Sequence, residues 1–170
     1  DGKEIARHPF KAQFDMVATT PVILDDGQRI FISGNTTSEM LDFDGRALES
    51  AWVSSEFRNA MNNSVVLDGV AYGIDGKQGA PARFAAIDLA SGRLRWAHED
   101  FGYGTVIAVG DSLLALTENG ELVTVKADPT GYREQGRLQV LGKTCWTTPV
   151  FARGRIFARN DRGDVVCLVH

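Results

Sequence analysis

The feature that most constrains this chain is a glycine turn that recurs at nearly constant spacing. Gly27, Gly69, Gly110 and Gly154 each close a short apolar run, at intervals of 42, 41 and 44 residues. The runs ahead of them are Val22-Ile-Leu24, Val65-Val-Leu67, Thr105-Val-Ile-Ala-Val109 and Val150-Phe-Ala152. A second run follows each turn: Ile30-Phe-Ile32, Val70-Ala-Tyr72, Leu113-Leu-Ala115 and Ile156-Phe-Ala158. Third runs come next, at Met40-Leu41, Phe84–Ile87, Leu122–Val125 and Val165–Leu168. Fourth runs end in Trp52, Trp96 and Leu138. The runs are short, rich in β-branched residues and bounded by Gly, Asp and Asn, without a sustained 3.6-residue period. Four strands per repeat of about 40–45 residues is the period of a propeller blade. The sequence therefore predicts an all-β fold, a β-propeller of four-stranded antiparallel blades with four repeats in this chain.

The repeats span 16–58, 59–99, 100–142, and 143–170 joined by 1–10, in a single domain or half-domain. The phase of the ends sets that last boundary. The chain finishes on a third strand, Asp164–Val169, and opens on an orphan fourth strand, Gly2–Ala6, in which Gly2 stands where Gly92 stands in the second repeat. Those two segments are expected to pair antiparallel and complete the fourth blade, because either alone leaves unpaired backbone groups on a sheet edge. Pairing within one chain gives a closed four-bladed ring. Pairing between two copies gives half of a larger ring of seven or eight blades. The chain also fits as the last blades of a longer protein.

Composition removes several function classes. With a net charge of -4 the chain carries no basic stripe to neutralise phosphates, so no nucleic acid is expected. Its apolar runs are too short to cross a bilayer as helices. No signal peptide is visible in the polar opening Asp1-Gly2-Lys3-Glu4. Cys145 and Cys167 sit in strand-like runs and are expected to be buried thiols, not a disulfide. His8 and His98 lie at matching ends of fourth strands, where exposure is expected. Asp42-Phe-Asp44-Gly45 lacks the later ligands of a calcium loop and reads as a turn. Cys145, Cys167 and His170 make a poor zinc set, since 167 and 170 point to opposite faces of a strand. Lys77-Gln-Gly-Ala-Pro81 forms a longer hairpin loop than its counterparts.

One segment carries a family resemblance. Ala86-Ile-Asp88-Leu-Ala-Ser91-Gly92-Arg-Leu-Arg-Trp96 resembles the tryptophan-docking motif of quinoprotein-type propellers, Ala-x-Asp-x-x-Thr-Gly-x-x-x-Trp, with Ser for Thr. Ser91-Gly92 suits the turn, Asp88 suits its backbone N–H groups, and Trp96 is a wedge that packs between blades. Asp44-Gly45 with Trp52 keeps the turn and the Trp, Thr130-Gly131 keeps only the turn, and Asp1-Gly2 is followed by Ala6. The chain resembles the PQQ-like β-propeller repeat proteins throughout, and most of all the C-terminal half of an exported bacterial branch. The resemblance implies a periplasmic or exported location. It implies architecture and leaves function open, because the family holds both quinoprotein dehydrogenases and non-catalytic scaffolds. The enzymes sandwich PQQ over calcium beside a carboxylate base and a disulfide between neighbouring cysteines. Here the cysteines stand 22 positions apart and no carboxylate matches the base by motif. The expectation is a non-catalytic binding scaffold without a cofactor. The alternative is a fragment of a PQQ-dependent dehydrogenase whose calcium and cofactor site is incomplete.

Recognition is expected at the starts of the first strands, which line a propeller's channel. They read Thr19-Thr20, Asn62-Asn63, Tyr103-Gly104 and Thr147-Thr148, with Asp15, Arg58, Glu99 and Lys143 four residues ahead. Asn62, Asn63, Tyr103 and Trp146 combine amides with amphipathic aromatics, the mixture that favours binding. They are the candidate ligand residues, facing a protein or carbohydrate partner at the propeller face. The competing reading is a set of channel groups that pair with water and with one another.

Overall fold

The computed structural model describes residues 2–15, 17–76 and 80–169. Fifteen strands form four consecutive antiparallel sheets, each ordered as a simple meander. The first blade holds β1 (Val22–Leu24), β2 (Arg29–Ser33), β3 (Ser38–Phe43) and β4 (Leu48–Ser54). The second holds β5 (Val65–Leu67), β6 (Val70–Asp75), β7 (Arg83–Asp88) and β8 (Leu94–His98). The third holds β9 (Gly104–Val109), β10 (Ser112–Thr117), β11 (Glu121–Lys126) and β12 (Glu134–Gln139). The fourth has three strands, β13 (Val150–Ala152), β14 (Arg155–Arg159) and β15 (Val165–Val169).

The core lies between blades, because alternate residues of each strand face opposite neighbours. In the first blade Val22, Phe31, Met40 and Trp52 lie in one cross-strand row. That row packs on Ala71, Ala85 and Ile87 of the second blade. Tyr72, Phe84 and Trp96 meet Val106, Leu113 and Val123 of the third. Leu114, Leu116 and Leu122 meet Ile156 and Ala158 of the fourth.

Tryptophans tie neighbouring blades at their outer edges. The Trp52 indole N–H donates to the Leu89 carbonyl at 3.0 Å, and that of Trp96 to the Asp128 carbonyl at 2.8 Å. Each acceptor lies in the β3–β4-type turn of the following blade. These turns are held by aspartates at equivalent places. Asp88 accepts the Ser91 N–H and hydroxyl, Asp128 those of Thr130, and Asp44 the N–H groups of Arg46 and Ala47.

The ends depart from the sequence reading. Gly2–Ala6 does not form a strand, and β15 has no partner on its outer side among the described residues. Of the arrangements that the repeat phase allows, pairing with Asp164–Val169 within one chain is not made among the described residues. The N-terminal arm instead lies on the first blade. His8 Nε2 pairs with Glu39 at 3.0 Å, and Asn35 bonds both the N–H and the carbonyl of Gln13. Phe10 abuts Gly34 so closely that a Cβ there would meet its ring at 3.0 Å. The arm shields apolar side chains of the first blade that no sheet covers.

Two smaller expectations are corrected for similar reasons. Cys145 is buried, whereas Cys167 is exposed on the bare side of β15; both are free thiols. His8 and His98 are half-buried rather than exposed. His8 is held by Glu39, and His98 stacks on Tyr132 with ring centroids 3.9 Å apart.

Candidate binding site at the channel mouth

Each fourth strand is followed by a connector that plugs the gap to the next blade. Phe57 and Phe101 do this with their rings, at 0% and 4% exposure. Cys145 follows Phe101 at the same 44-residue interval and is fully buried between the third and fourth blades. A thiol is far smaller than a benzyl group, so the third plug leaves space that the other two fill.

That space is a cavity of about 120 Å³ lined by Met61, Asn62, Tyr103, Thr105, Cys145 and Trp146, with Gly104 in its wall. The second, third and fourth blades all contribute. Gly104 is required there, because a Cβ would come within 2.4 Å of the Leu116 carbonyl oxygen. Asn62 is fixed by donating its amide to the Gly104 carbonyl, and its own N–H donates to Asn59. Met61 and Trp146 form an apolar rim, 45% and 55% exposed.

The electrostatics of the cavity are unusual for so small a site. Among the described residues, the buried hydroxyls of Ser38 and Thr105 lack a hydrogen-bond partner, and that of Tyr103 has only a loose contact with the Asn62 side chain. Thr105 and Tyr103 line this one cavity. Buried hydroxyls left unpaired cost about 1–3 kcal/mol each, and native folds rarely tolerate them without a reason. Burial pushes the Tyr103 phenol above its ordinary range, an effect the nearby Asn62 amide partly offsets. Burial also raises the Cys145 thiol, and Asp161 adds to it, which favours the neutral form of this sulfur in the cavity wall.

Of the residues singled out from sequence, Asn62, Tyr103 and Trp146 meet here. Asn63 does not: its side-chain oxygen accepts the Thr20 N–H, toward the first blade. Met61, Thr105 and Cys145 escaped the sequence reading, although the 44-residue spacing of Phe57, Phe101 and Cys145 marks the plug position. The four charges ahead of the first strands do not form a ring. Asp75 receives Arg83 at 2.6 Å and Arg58 at 3.5 Å, and Arg83 also reaches Glu99 at 3.4 Å. The Asp15 side chain lies outside the described residues. So do Asp1, Lys77 to Gly79 and His170. Asp42, considered above as a calcium ligand, pairs with Arg29 at 3.2 Å.

Comparison with solved structures decides the architecture. BamB from Moraxella catarrhalis superposes with a TM-score of 0.68 at 14% identity, over 90% of this chain and 46% of that one. The fold is a β-propeller. A chain in the crystal structure of the mitotic checkpoint complex matches with a TM-score of 0.69 at 9% identity, over 88% of this chain and 48% of its own. The computationally designed Ika4 protein matches with a TM-score of 0.72 at 7% identity, over 99% of both chains. This propeller chain thus spans about half the length of the first two and the whole of the third. No family model matches it, and no curated protein does.

Proposed function

We infer that this chain is a non-catalytic binding scaffold of the PQQ-like kind, which holds a peptide segment of a protein partner at the channel mouth. The observation that carries this reading is the meeting of an unpartnered Thr105 hydroxyl and a loosely held Tyr103 hydroxyl with an exposed indole in one cavity. A carbonyl or amide from a partner would satisfy Tyr103 and Thr105 together. Trp146 and Met61 would cover the adjoining apolar part of the segment, as aromatic anchors do at interfaces. A cavity of about 120 Å³ admits one side chain and not a quinone cofactor; drug-sized ligands occupy about 300–1,000 Å³. One of the similar structures is a chain within the mitotic checkpoint complex, a protein assembly, which fits a scaffold role.

Selection of a displayed random-peptide library on the immobilised chain tests the reading. Enriched peptides should fail to bind Trp146→Ala and bind Tyr103→Phe weakly. Enrichment of peptides indifferent to both variants would overturn it. Titration with PQQ and calcium is the counter-test, and a tight stoichiometric complex would favour the dehydrogenase reading.

A further inference from the structure

The two ends of the arc of blades are complementary. At one end the fourth blade bares a row formed by Val150, Phe157 and Cys167, flanked by Val165 and Val169 at 66% and 84% exposure. This is the face that Phe31 and Met40 occupy in the first blade, and Tyr72 in the second, where each is covered by the next sheet. At the other end the first blade presents Ile23, Ile30, Ile32, Leu41 and Leu48. Between these and the arm lies a cavity of about 420 Å³, space that a packed sheet would fill.

The arm already lies where a preceding blade would place its fourth strand and connector. Phe10 abuts Gly34 on the same face on which Phe57 abuts Gly73, two register positions away, where a Cβ would meet that ring at 3.1 Å. Lys3, Glu4 and Ile5 lie beside Gly45 and Arg46, the turn of the first blade that corresponds to the turn docking Trp52 in the second. Gly2 has φ +72°, matching Gly92 at +69°. The third blade shows the other half of the same gap. Gly136 stands at the register position of Trp52 and Trp96, and Leu138, two residues on along the same face, is 58% exposed.

We propose that the occupant of both ends is a second copy of this chain, and that two copies close one eight-bladed ring. Gly2–Ala6 of each copy pairs antiparallel with Val165–Val169 of the other, completing its fourth blade. A head-to-tail contact of this sort leaves free edges unless its rotation closes, and two copies close it with two identical joints. The proposal is independent of the cavity reading above.

Register supplies the test. Cys167 stands in the fourth blade where Ala86 stands in the second, and Ala86 pairs with Trp96, whose counterpart in the arm is Ala6. Directly opposed residues in an antiparallel pair have Cα atoms about 4.5–5.5 Å apart, within disulfide range. Ala6→Cys in the full chain, mildly oxidised with copper phenanthroline, should give a covalent species of twice the 18.5 kDa chain mass. Ile5→Cys, facing the opposite side, should not. Adding Cys167→Ser to Ala6→Cys should abolish the link. Without oxidant, light scattering should report the doubled mass for the unmodified chain. A chain that stays monomeric at about 100 μM overturns the proposal and leaves both faces to blades of a longer protein. A disulfide formed within one chain overturns it in favour of a four-bladed ring, and filaments overturn closure after two copies.

Discussion

The Trp52 indole lies so close against Gly92 that a Cβ at residue 92 would come within 2.6 Å of the ring. Gly92 also adopts φ +69°, in the left-handed region. The glycine of the docking turn thus meets two demands at once, a backbone conformation and a flat seat for the tryptophan of the preceding blade. Gly92→Ala should cost about 2–4 kcal/mol, adding left-handed strain to displacement of the indole. Thermal denaturation checks this; an unchanged Tm would mean that the seat is not needed.

Trp96 separates packing from hydrogen bonding. Its ring touches Tyr72 and Phe84, and its N–H donates to the Asp128 carbonyl. Trp96→Phe should lose about 1 kcal/mol with the hydrogen bond. Trp96→Ala should lose about 3 kcal/mol, the low end for a large aromatic because the side chain is only half-buried. Chemical denaturation of both variants reads the difference. Equal losses would mean that the ring contributes nothing beyond its N–H.

The turn aspartates make stability fall in acid. Asp44 is held below the ordinary carboxylate range chiefly by the Ala47 N–H, Asp88 by Ser91 with help from Arg95, and Asp128 by Thr130. A folded-state pKa below the unfolded value near 3.9 gives stability that is present above that pH. It is lost as pH falls through the depressed values. Asp88→Asn keeps an acceptor for Ser91 and removes one titration. Its Tm should therefore change less than that of the wild type between pH 5 and pH 2, as calorimetry across that range would show.

All three tyrosines of the chain are shifted the same way. Burial is the leading cause at Tyr72, Tyr103 and Tyr132, and Glu134 adds to it at Tyr132. The neutral phenols stabilise the fold below the unfolded pKa of about 10, and that stability is lost as pH rises through the raised values. Alkaline titration should show little phenolate absorbance at pH 10 while the fold persists, then a cooperative rise as it unfolds. A three-tyrosine transition centred at pH 10 in the folded protein would contradict the burial described here.

The blades were legible in the sequence because their signal is local and repeated: glycine turns, period-two apolar runs and a docking motif. The placement of Gly2–Ala6 was not. Repeat phase defines which strand is missing from the fourth blade but says nothing of which chain supplies it, and side-chain contacts such as Phe10 on Gly34 tie the arm to the first blade. The cavity was half legible. Asn62, Tyr103 and Trp146 follow from knowing which strand starts line the channel. Asn63 points away, its side-chain oxygen accepting the Thr20 N–H of the first blade. Cys145 makes room by being smaller than Phe57 and Phe101, a difference of size at one repeat position that apolar patterning does not register.

The claim that recognition lies in the channel-mouth cavity rests most directly on one affinity ratio. A library-selected peptide titrated calorimetrically into the wild-type chain and into Trp146→Ala, a rim residue 55% exposed, reads it without disturbing the core. The account predicts at least a tenfold weaker Kd, about 1.4 kcal/mol, with an unchanged Tm. Equal Kd values for the two proteins would contradict it.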